Sequence, residues 1–147
     1  MIRTFLSLLF VGLAAFPAQA ETIDIDNAEL ARLAIRGVAV VDVRTAGEWQ
    51  ETGVLPGSRL ITLFDEKGTP DPAFVDKVMG VAKPDQPVIL ICRSGNRSRV
   101  GAQLLERQGG YAKVYNVRDG IRGWAREGRV LEAPGRAVAT CPAGARC

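Results

Sequence analysis

The residues best suited to chemistry in this sequence surround one cysteine. Cys92 follows the apolar run at residues 89–91 and precedes a turn rich in arginine, serine and glycine, which leads into a segment of helical character. A cysteine between the end of a strand and the start of a helix lies near backbone N–H groups that stabilise a thiolate, and nearby arginines do the same. Because the thiolate is the reactive form of cysteine, this position predicts a nucleophile.

The six residues after Cys92 have the composition of an anion-binding loop. A glycine permits the positive φ of a curled loop, two serines can donate hydroxyl hydrogen bonds, and Ser98 also suits a helix N-cap. Arginines add positive charge, and a curl of backbone N–H groups can hold an anion without a metal. The alternative is a structural cysteine beside a solvated basic turn, which this density of arginine and serine disfavours. The candidate substrate-binding residues are Arg93, Ser94, Gly95, Asn96, Arg97 and Ser98.

The composition excludes several classes of chemistry. The 147 residues fit one domain, and the complete lack of histidine removes His-based triads, histidine general bases and zinc sites that need an imidazole. We therefore predict no metal and no cofactor. The net charge is +3, but basic and acidic residues are interspersed, so we expect a small anionic ligand and no nucleic acid.

The first twenty residues predict a secretory signal peptide. Arg3 precedes an apolar run at residues 5–16, and a small-x-small cleavage site ends at Ala20. The run is about 12 residues long, whereas a bilayer span needs ~20, so a stable membrane anchor is the less favoured alternative. We expect cleavage after Ala20 and, in a bacterium, a periplasmic protein.

Export also affects how the three cysteines are interpreted, because oxidising compartments favour disulfides. Cys141 and Cys147 lie close together in a Pro/Gly/Ala-rich tail, residues 129–147, that has no core periodicity. We predict that they form a disulfide. The alternative is that one of them pairs with Cys92 as a resolving thiol.

Strand and helix patterns alternate between residues 21 and 128, which we take as one domain. Asp26, with Glu29 three residues later, predicts a capping box, and Asp71 with Pro72 predicts another helix start. The pattern is typical of a small three-layer α/β domain whose central sheet is mainly parallel, with helices on both faces. The predicted strands cover residues 22–24, 38–41, 86–92 and 112–117, with a further short strand after the Pro-Gly turn at 56–57; the predicted helices cover 26–37, 45–53, 72–79, 98–110 and 119–128.

Polar side chains that could reach a ligand follow two of these strands. Asp42 and Arg44 come at the end of one buried strand, and Cys92 at the end of another. In parallel α/β sheets, ligands bind beyond the carboxyl ends of the strands. We therefore expect these three residues to lie near one site.

Three stretches resemble the rhodanese family of sulfurtransferases. The loop CRSGNRS at residues 92–98 resembles the family's active-site loop, and VVDVRTAGEWQETGVLPGS at 40–58 resembles its Asp-x-Arg and Glu-aromatic-x-x-Gly-His-Ile-Pro-Gly-Ala segments. VRDGIRGW at 117–124 resembles its closing Gly-Gly-x-x-x-Trp element. The three stretches come in the family's order, and the resemblance extends over nearly all of residues 22–127. One departure is Val54, which stands where the family usually has histidine.

The resemblance implies a role for each residue of the loop and for its neighbours. Cys92 would carry transferable sulfur as a persulfide, and the backbone of residues 93–98 would hold the persulfide and the donor. Arg97 would hold the loop and the substrate anion. Asp42 and Arg44 would brace the loop or pair with its charges.

Neighbouring residues have simpler alternatives. Asp42 and Arg44 could instead form a surface ion pair of little energetic value. Trp49 and Trp124 fit core aromatics better than substrate contacts. Glu48 fits an exposed helix residue or a local partner for an arginine.

Three functions follow, of which a sulfurtransferase fits best. It would move sulfane sulfur from thiosulfate or a similar small anionic donor to cyanide or a thiol. The alternatives are a cysteine-dependent phosphatase or arsenate reductase on the same fold, and a non-catalytic sulfur carrier or binding module. Four residues separate Cys92 from Arg97, whereas phosphatases of this fold resemble a pattern with five, so the narrower loop favours sulfur over phosphate.

Overall fold

Five parallel strands form the central sheet in the computed structural model, which describes residues 21–135. The strand order is β1-β5-β4-β2-β3. Along the chain the elements are β1 (Glu21–Ile25), α1 (Asn27–Ile35), β2 (Ala39–Asp42), α2 (Ala46–Thr52), β3 (Arg59–Leu60), α3 (Phe74–Met79), β4 (Val88–Ile91), α4 (Asn96–Gly109), β5 (Lys113–Val117) and α5 (Gly120–Arg126).

Strand β4 lies at the centre of the sheet, and its side chains contribute to the hydrophobic cores on both faces of the sheet. All four of its residues are buried, and because side chains alternate across a strand, Leu90 faces one side and Ile89 the other. The Leu90 side packs against α3 and α4, for example Phe74 and Leu105. The Ile89 side packs against α1 and α5, as at Leu30. The expected three-layer α/β fold, with helices on both faces, is confirmed.

Side chains cap the starts of both α1 and α2, although only the α1 cap was predicted from the sequence. Asp26 caps α1, and its carboxylate accepts from the Glu29 backbone N–H at 2.9 Å. A reciprocal capping box occurs at the start of α2, where the Thr45 hydroxyl accepts from the Glu48 N–H and the Glu48 carboxylate accepts from the Thr45 N–H. That box fixes the position of Glu48 beside the sheet edge.

Helix α3 begins two residues later than predicted. The Asp71 carboxylate accepts from the Ala73 backbone N–H at 2.9 Å, and the Asp71 carbonyl accepts from Phe74 N at 3.1 Å. These bonds make a turn that includes Pro72, so the first helical residue is Phe74. The aspartate and proline signal marked a turn that leads into the helix.

Residues 129–135 pack against the domain, although no core pattern was predicted beyond residue 128. Glu132 pairs in antiparallel fashion with Val54, and the Trp124 indole N–H donates to the Val130 carbonyl at 2.9 Å. The Arg129 guanidinium lies 4.8 Å from the centre of the Trp124 ring, in reach of a cation–π contact. Trp124 contacts residues close to it in the chain, whereas Glu132 contacts the α2–β3 connection. Sequence periodicity reveals neither kind of contact.

The predicted signal peptide and the predicted Cys141–Cys147 disulfide lie outside the described residues. Between residues 21 and 135, none of the helices has the length and apolar character needed to cross a membrane.

Candidate active site

Cys92 lies directly after β4, at the carboxyl edge of the sheet. The residue is 1% exposed, and its sulfur accepts from the Gly95 backbone N–H at 3.1 Å. The Ser98 hydroxyl lies 3.2 Å from the same sulfur. The sulfur is thus held by donors of the following loop and the first turn of α4, in surroundings that suit a negative charge.

Helix α4 starts earlier than the sequence suggested. Gly95, with φ of +91°, occupies the N-cap position, and the helix begins at Asn96. Ser98 is therefore inside the first turn and is not the cap, so its hydroxyl points to Cys92 and not to a backbone N–H. The Ser98 cap prediction is wrong because a glycine with positive φ curls the chain three residues sooner.

Helix α5 supports the cysteine loop from beneath. The Ile121 N–H donates to the Cys92 carbonyl at 2.8 Å, and the Arg122 N–H donates to the Arg93 carbonyl at 3.2 Å. A Cβ on Gly95 would overlap the Arg118 carbonyl oxygen, and a Cβ on Gly120 would lie 2.5 Å from the Cys92 carbonyl oxygen. Glycine is required at both positions because the two backbones are in contact.

The predicted binding residues divide into two groups. Arg93, Ser94 and Asn96 are exposed on the outer side of the loop, whereas Gly95 and Ser98 are buried beneath it. The two buried residues both lie within hydrogen-bonding distance of the Cys92 sulfur.

Arg97 is engaged by a carboxylate from α2. Its two terminal nitrogens donate to the two oxygens of Glu48, at 2.7 and 2.5 Å. These bonds to Arg97 hold the pKa of Glu48 far below its usual range, at about 2, although partial burial opposes the shift. The same bonds raise the pKa of Arg97. Glu48 is thus the partner of an arginine 49 positions away, across the site.

Asp42 and Arg44 form a buried ion pair. Their side chains are 0% and 1% exposed and meet at 2.7 Å, so the surface-pair alternative is wrong. Arg44 also donates to the Thr52 hydroxyl at 2.6 Å and to the Gly53 carbonyl at 2.8 Å. The pair joins β2 to the end of α2, the helix that carries Glu48. Asp42 and Arg44 thus connect β2 with the helix whose Glu48 binds Arg97.

Sequence reasoning missed two residues beside the cysteine. The Ser98 hydroxyl lies 2.6 Å from Asn116 Oδ1 on β5, and Asn116 Nδ2 donates to Asp24 on β1 at 2.8 Å. Arg99 in turn donates to Asp24 at 2.7 Å. The available signal was a polar residue near the carboxyl end of an otherwise apolar strand, at Asn116.

Val54, at the position where a histidine was expected from the resemblance, lies in a small apolar cluster. Val54 is fully buried and forms this cluster with Leu60, and Trp49 packs against the two residues. Its backbone N–H and carbonyl pair with Glu132 at 2.9 Å. Trp49 and Trp124 both pack against buried apolar clusters, as expected.

The arrangement as a whole provides a shielded thiol with N–H and hydroxyl donors and an exposed arginine nearby. Within residues 21–135, no three cysteine or acidic side chains gather into a possible metal site. The chemistry that this arrangement supports is nucleophilic attack by sulfur, followed by stabilisation of a sulfur-bound anion.

Comparison with known proteins agrees with this geometry. A family model for the Rhodanese-like domain matches residues 26–127. The chain belongs to the rhodanese-like domain family.

Relatives within the rhodanese-like domain family include proteins named for sulfur transfer. The chain is 34% identical over 113 residues to a sulfurtransferase of Allochromatium vinosum, covering 76% of this chain and 95% of the relative. It is 46% identical over 48 residues to the thiosulfate sulfurtransferase GlpE of Actinobacillus pleuropneumoniae, covering 33% and 44%. A solved rhodanese-related protein of Thermoplasma volcanium superposes with a TM-score of 0.58 at 26% identity, covering 76% of this chain and 98% of that one.

Proposed function

We propose that this protein is a sulfurtransferase that carries sulfane sulfur on Cys92 as a persulfide, taken from thiosulfate or a similar anionic donor. The observation that carries the proposal is the position of the Cys92 sulfur, 3.1 Å from the Gly95 N–H and 3.2 Å from the Ser98 hydroxyl. Both donors face the atom at which charge changes during the reaction, as transition-state stabilisation requires.

The first half-reaction charges the enzyme. The Cys92 thiolate attacks the outer sulfur of thiosulfate, a new S–S bond forms, and the S–S bond of thiosulfate breaks. Sulfite leaves with the electron pair of that bond, and the negative charge of the persulfide rests on its outer sulfur. Sulfite is a stable anion that needs no proton to leave, which agrees with a chain that has no histidine to serve as general acid.

The second half-reaction discharges the enzyme. Cyanide or a thiolate attacks the outer sulfur and forms a new bond to it, while the persulfide S–S bond breaks. The electron pair returns to Cys92, which is again a thiolate. The products are thiocyanate from cyanide or a new persulfide from a thiol.

The loop residues take separate roles in this proposal. Backbone N–H groups from Arg93 to Ser98 hold the outer sulfur and the donor, and the exposed Arg93 orients the anionic end of the donor. Arg97 holds the loop through Glu48, since both of its terminal nitrogens are already engaged there. Asp42 and Arg44 keep α2 in place for that contact.

Intact-mass measurement tests this directly. The purified chain is incubated with thiosulfate, and we expect the mass of one added sulfur atom, which cyanide removes with formation of thiocyanate. Cys92→Ser should show neither, because a hydroxyl oxygen cannot carry sulfane sulfur. Thiocyanate formation equal to that of Cys92→Ser, together with Cys92-dependent hydrolysis of an aryl phosphate or reduction of arsenate, would favour the phosphatase or arsenate reductase alternative. Retention of sulfur without transfer would favour a carrier.

The proposed setting of this reaction is the periplasm. The proposal is supported by the leader-like sequence of residues 1–20, whose cleavage would leave Glu21 as the first residue. N-terminal sequencing of protein from the periplasmic fraction should give Glu21. Non-reducing peptide mapping of the same protein should find Cys141 joined to Cys147, and a main species that joins either of them to Cys92 would contradict that pairing.

A further inference from the structure

The hydroxyl hydrogen of Ser98 has two possible acceptors, the Cys92 sulfur and the side-chain oxygen of Asn116. The Ser98 hydroxyl lies 2.6 Å from Asn116 Oδ1 and 3.2 Å from Cys92 Sγ. Ser98 and Asn116 are 0% exposed and Cys92 is 1% exposed, so no bulk water replaces a lost bond. A hydroxyl has a single hydrogen and donates it to one acceptor at a time.

The orientation of the Asn116 amide is fixed from its far side. Its Nδ2 donates to Asp24 at 2.8 Å, and Asp24 also accepts from Arg99 at 2.7 Å. The bond from Asn116 is the main reason that the pKa of Asp24 lies below its usual range, with Arg99 adding to it against partial burial. Asp24 is therefore a carboxylate at neutral pH and only accepts. Reversing the amide would bring two oxygens together, so Asn116 presents its oxygen to Ser98.

Because the Asn116 oxygen is fixed, the Ser98 hydroxyl has two alternative orientations, one donating to Asn116 and one donating to Cys92. When Cys92 is a thiol, its S–H can donate to Ser98 and the Ser98 hydroxyl donates to Asn116, so every group is paired. When Cys92 is a thiolate, a hydroxyl turned to the sulfur leaves Asn116 Oδ1 without its donor in a buried place, which costs free energy. In the persulfide, charge moves to the outer sulfur and the hydroxyl is free to return to Asn116.

Resting on the proposed role of Cys92, we propose that Asn116 is a positioning residue. It competes with the Cys92 sulfur for the single hydrogen of Ser98 and thereby sets how readily the thiolate forms. Asp24 and Arg99 act through Asn116 by holding its amide in one orientation. No contact between Asn116 and substrate is required.

Charged groups lie on every element around Cys92, and all of them except Asp24 are unchanged in the variants that test the proposal. They come from β2, α2, the cysteine loop with α4, β1, and the β5–α5 connection. These groups are Asp42, Arg44, Glu48, Arg93, Arg97, Arg99, Asp24, Arg118, Asp119 and Arg122.

The test is the pH dependence of Cys92 alkylation by iodoacetamide in the full chain, followed by mass spectrometry of the peptide that contains Cys92. Asn116→Leu removes the competing oxygen at similar size. The Ser98 hydroxyl is then free to donate to the sulfur. The pH at which the alkylation rate is half-maximal should therefore fall by about one unit, which corresponds to one hydrogen bond to an ionised group. Asp24→Asn lets the amide reverse and should move it in the same direction, which keeps the test valid if Asn116→Leu folds poorly.

Two controls separate this mechanism from general loosening. Asn27→Leu removes another buried asparagine, one that donates to Glu127 at 2.7 Å on a different contact, and should leave the Cys92 profile unchanged. In a Ser98→Ala background, Asn116→Leu should have no further effect, because the shared hydrogen is gone. If reagent access limits the rate, the ultraviolet absorbance of the thiolate, taken as the difference from each Cys92→Ser counterpart, gives the same midpoint.

The outcomes are distinct from those of the sulfur-transfer test. Alkylation needs no sulfur donor, so a shifted profile supports the role of Asn116 even if thiosulfate is not the substrate. Unchanged profiles in both Asn116→Leu and Asp24→Asn would overturn the inference. So would a shift of equal size with and without the Ser98 hydroxyl.

Discussion

At the scale of single residues, Glu48 joins two parts of the site. Its carboxylate accepts from the Thr45 N–H at 3.1 Å at the start of α2, and its two oxygens accept from Arg97 at 2.7 and 2.5 Å. One side chain thus fixes both the helix start and the arginine of the cysteine loop. Because the pKa of Glu48 is lowered, mainly by the bonds from Arg97, the contribution of this contact to stability depends on pH.

We predict that Glu48→Gln lowers the free energy of unfolding at neutral pH by about 1–2 kcal/mol, between the values for exposed and buried ion pairs. A lowered folded-state pKa stabilises the protein above the ordinary value of 4.5, and that stabilisation disappears as the pH falls from 4.5 through about 2. Urea unfolding across this range should show the two proteins converging. A difference that stays constant down to the lowest pH would contradict the prediction.

At the scale of elements, the contact between the cysteine loop and the β5–α5 connection depends on Gly95. Its φ is +91°, and a Cβ there would overlap the Arg118 carbonyl oxygen. Gly110, with φ of +68°, has nothing within 4 Å of its Cβ position and is a matched control.

We predict that Gly95→Ala displaces the loop, destabilises the fold by more than the control does and abolishes persulfide formation. Gly110→Ala should cost only the backbone strain, about 1–2 kcal/mol, and should keep full persulfide formation. Intact mass after thiosulfate treatment and urea unfolding together measure both effects. Equal losses in the two variants would mean that the close approach to Arg118 is unimportant.

The buried Asp42–Arg44 pair is the second contact between elements. We predict that Arg44→Met destabilises the protein by about 3–5 kcal/mol, because Asp42 keeps a buried charge without its partner. The double variant Asp42→Leu/Arg44→Met should be more stable than Arg44→Met alone, since it leaves no buried charge. Urea unfolding of both variants tests this, and a double variant less stable than the single one would refute it.

These elements show what local sequence patterns reveal. The apolar runs at β2 and β4 identified buried parallel strands, and their carboxyl ends gave Asp42, Arg44 and Cys92 a common edge. Burial of the ion pair was not predictable, because it depends on how α2 covers β2. Asn116 and Asp24 were missed for a similar reason: their contact arises from pairing of β1 with β5, which local periodicity does not encode.

At the scale of the whole molecule, β1 completes the site although the family match starts at residue 26. β1 pairs with β5 along its full length, from Glu21 opposite Lys113 to Ile25 opposite Val117. It also brings Asp24 to Asn116, and the Ile25 carbonyl accepts from the Arg118 N–H at 3.0 Å. The folded sheet therefore includes β1.

We predict that a chain beginning at Glu21 folds and forms the persulfide, whereas one beginning at Asn27 is strongly destabilised. The shorter chain loses a strand, the Asp26 cap of α1 and the buried Ile25, and removal of one large buried apolar side chain alone costs about 2–5 kcal/mol. It also exposes the edge of β5 beside Asn116, so its remaining folded fraction should show an altered pH profile of Cys92 alkylation. Urea unfolding and alkylation of the two chains, with Asp24→Ala in the longer chain as the control, separate loss of the strand from loss of one carboxylate. Coincident unfolding curves for the two chains would show that the domain is complete without β1.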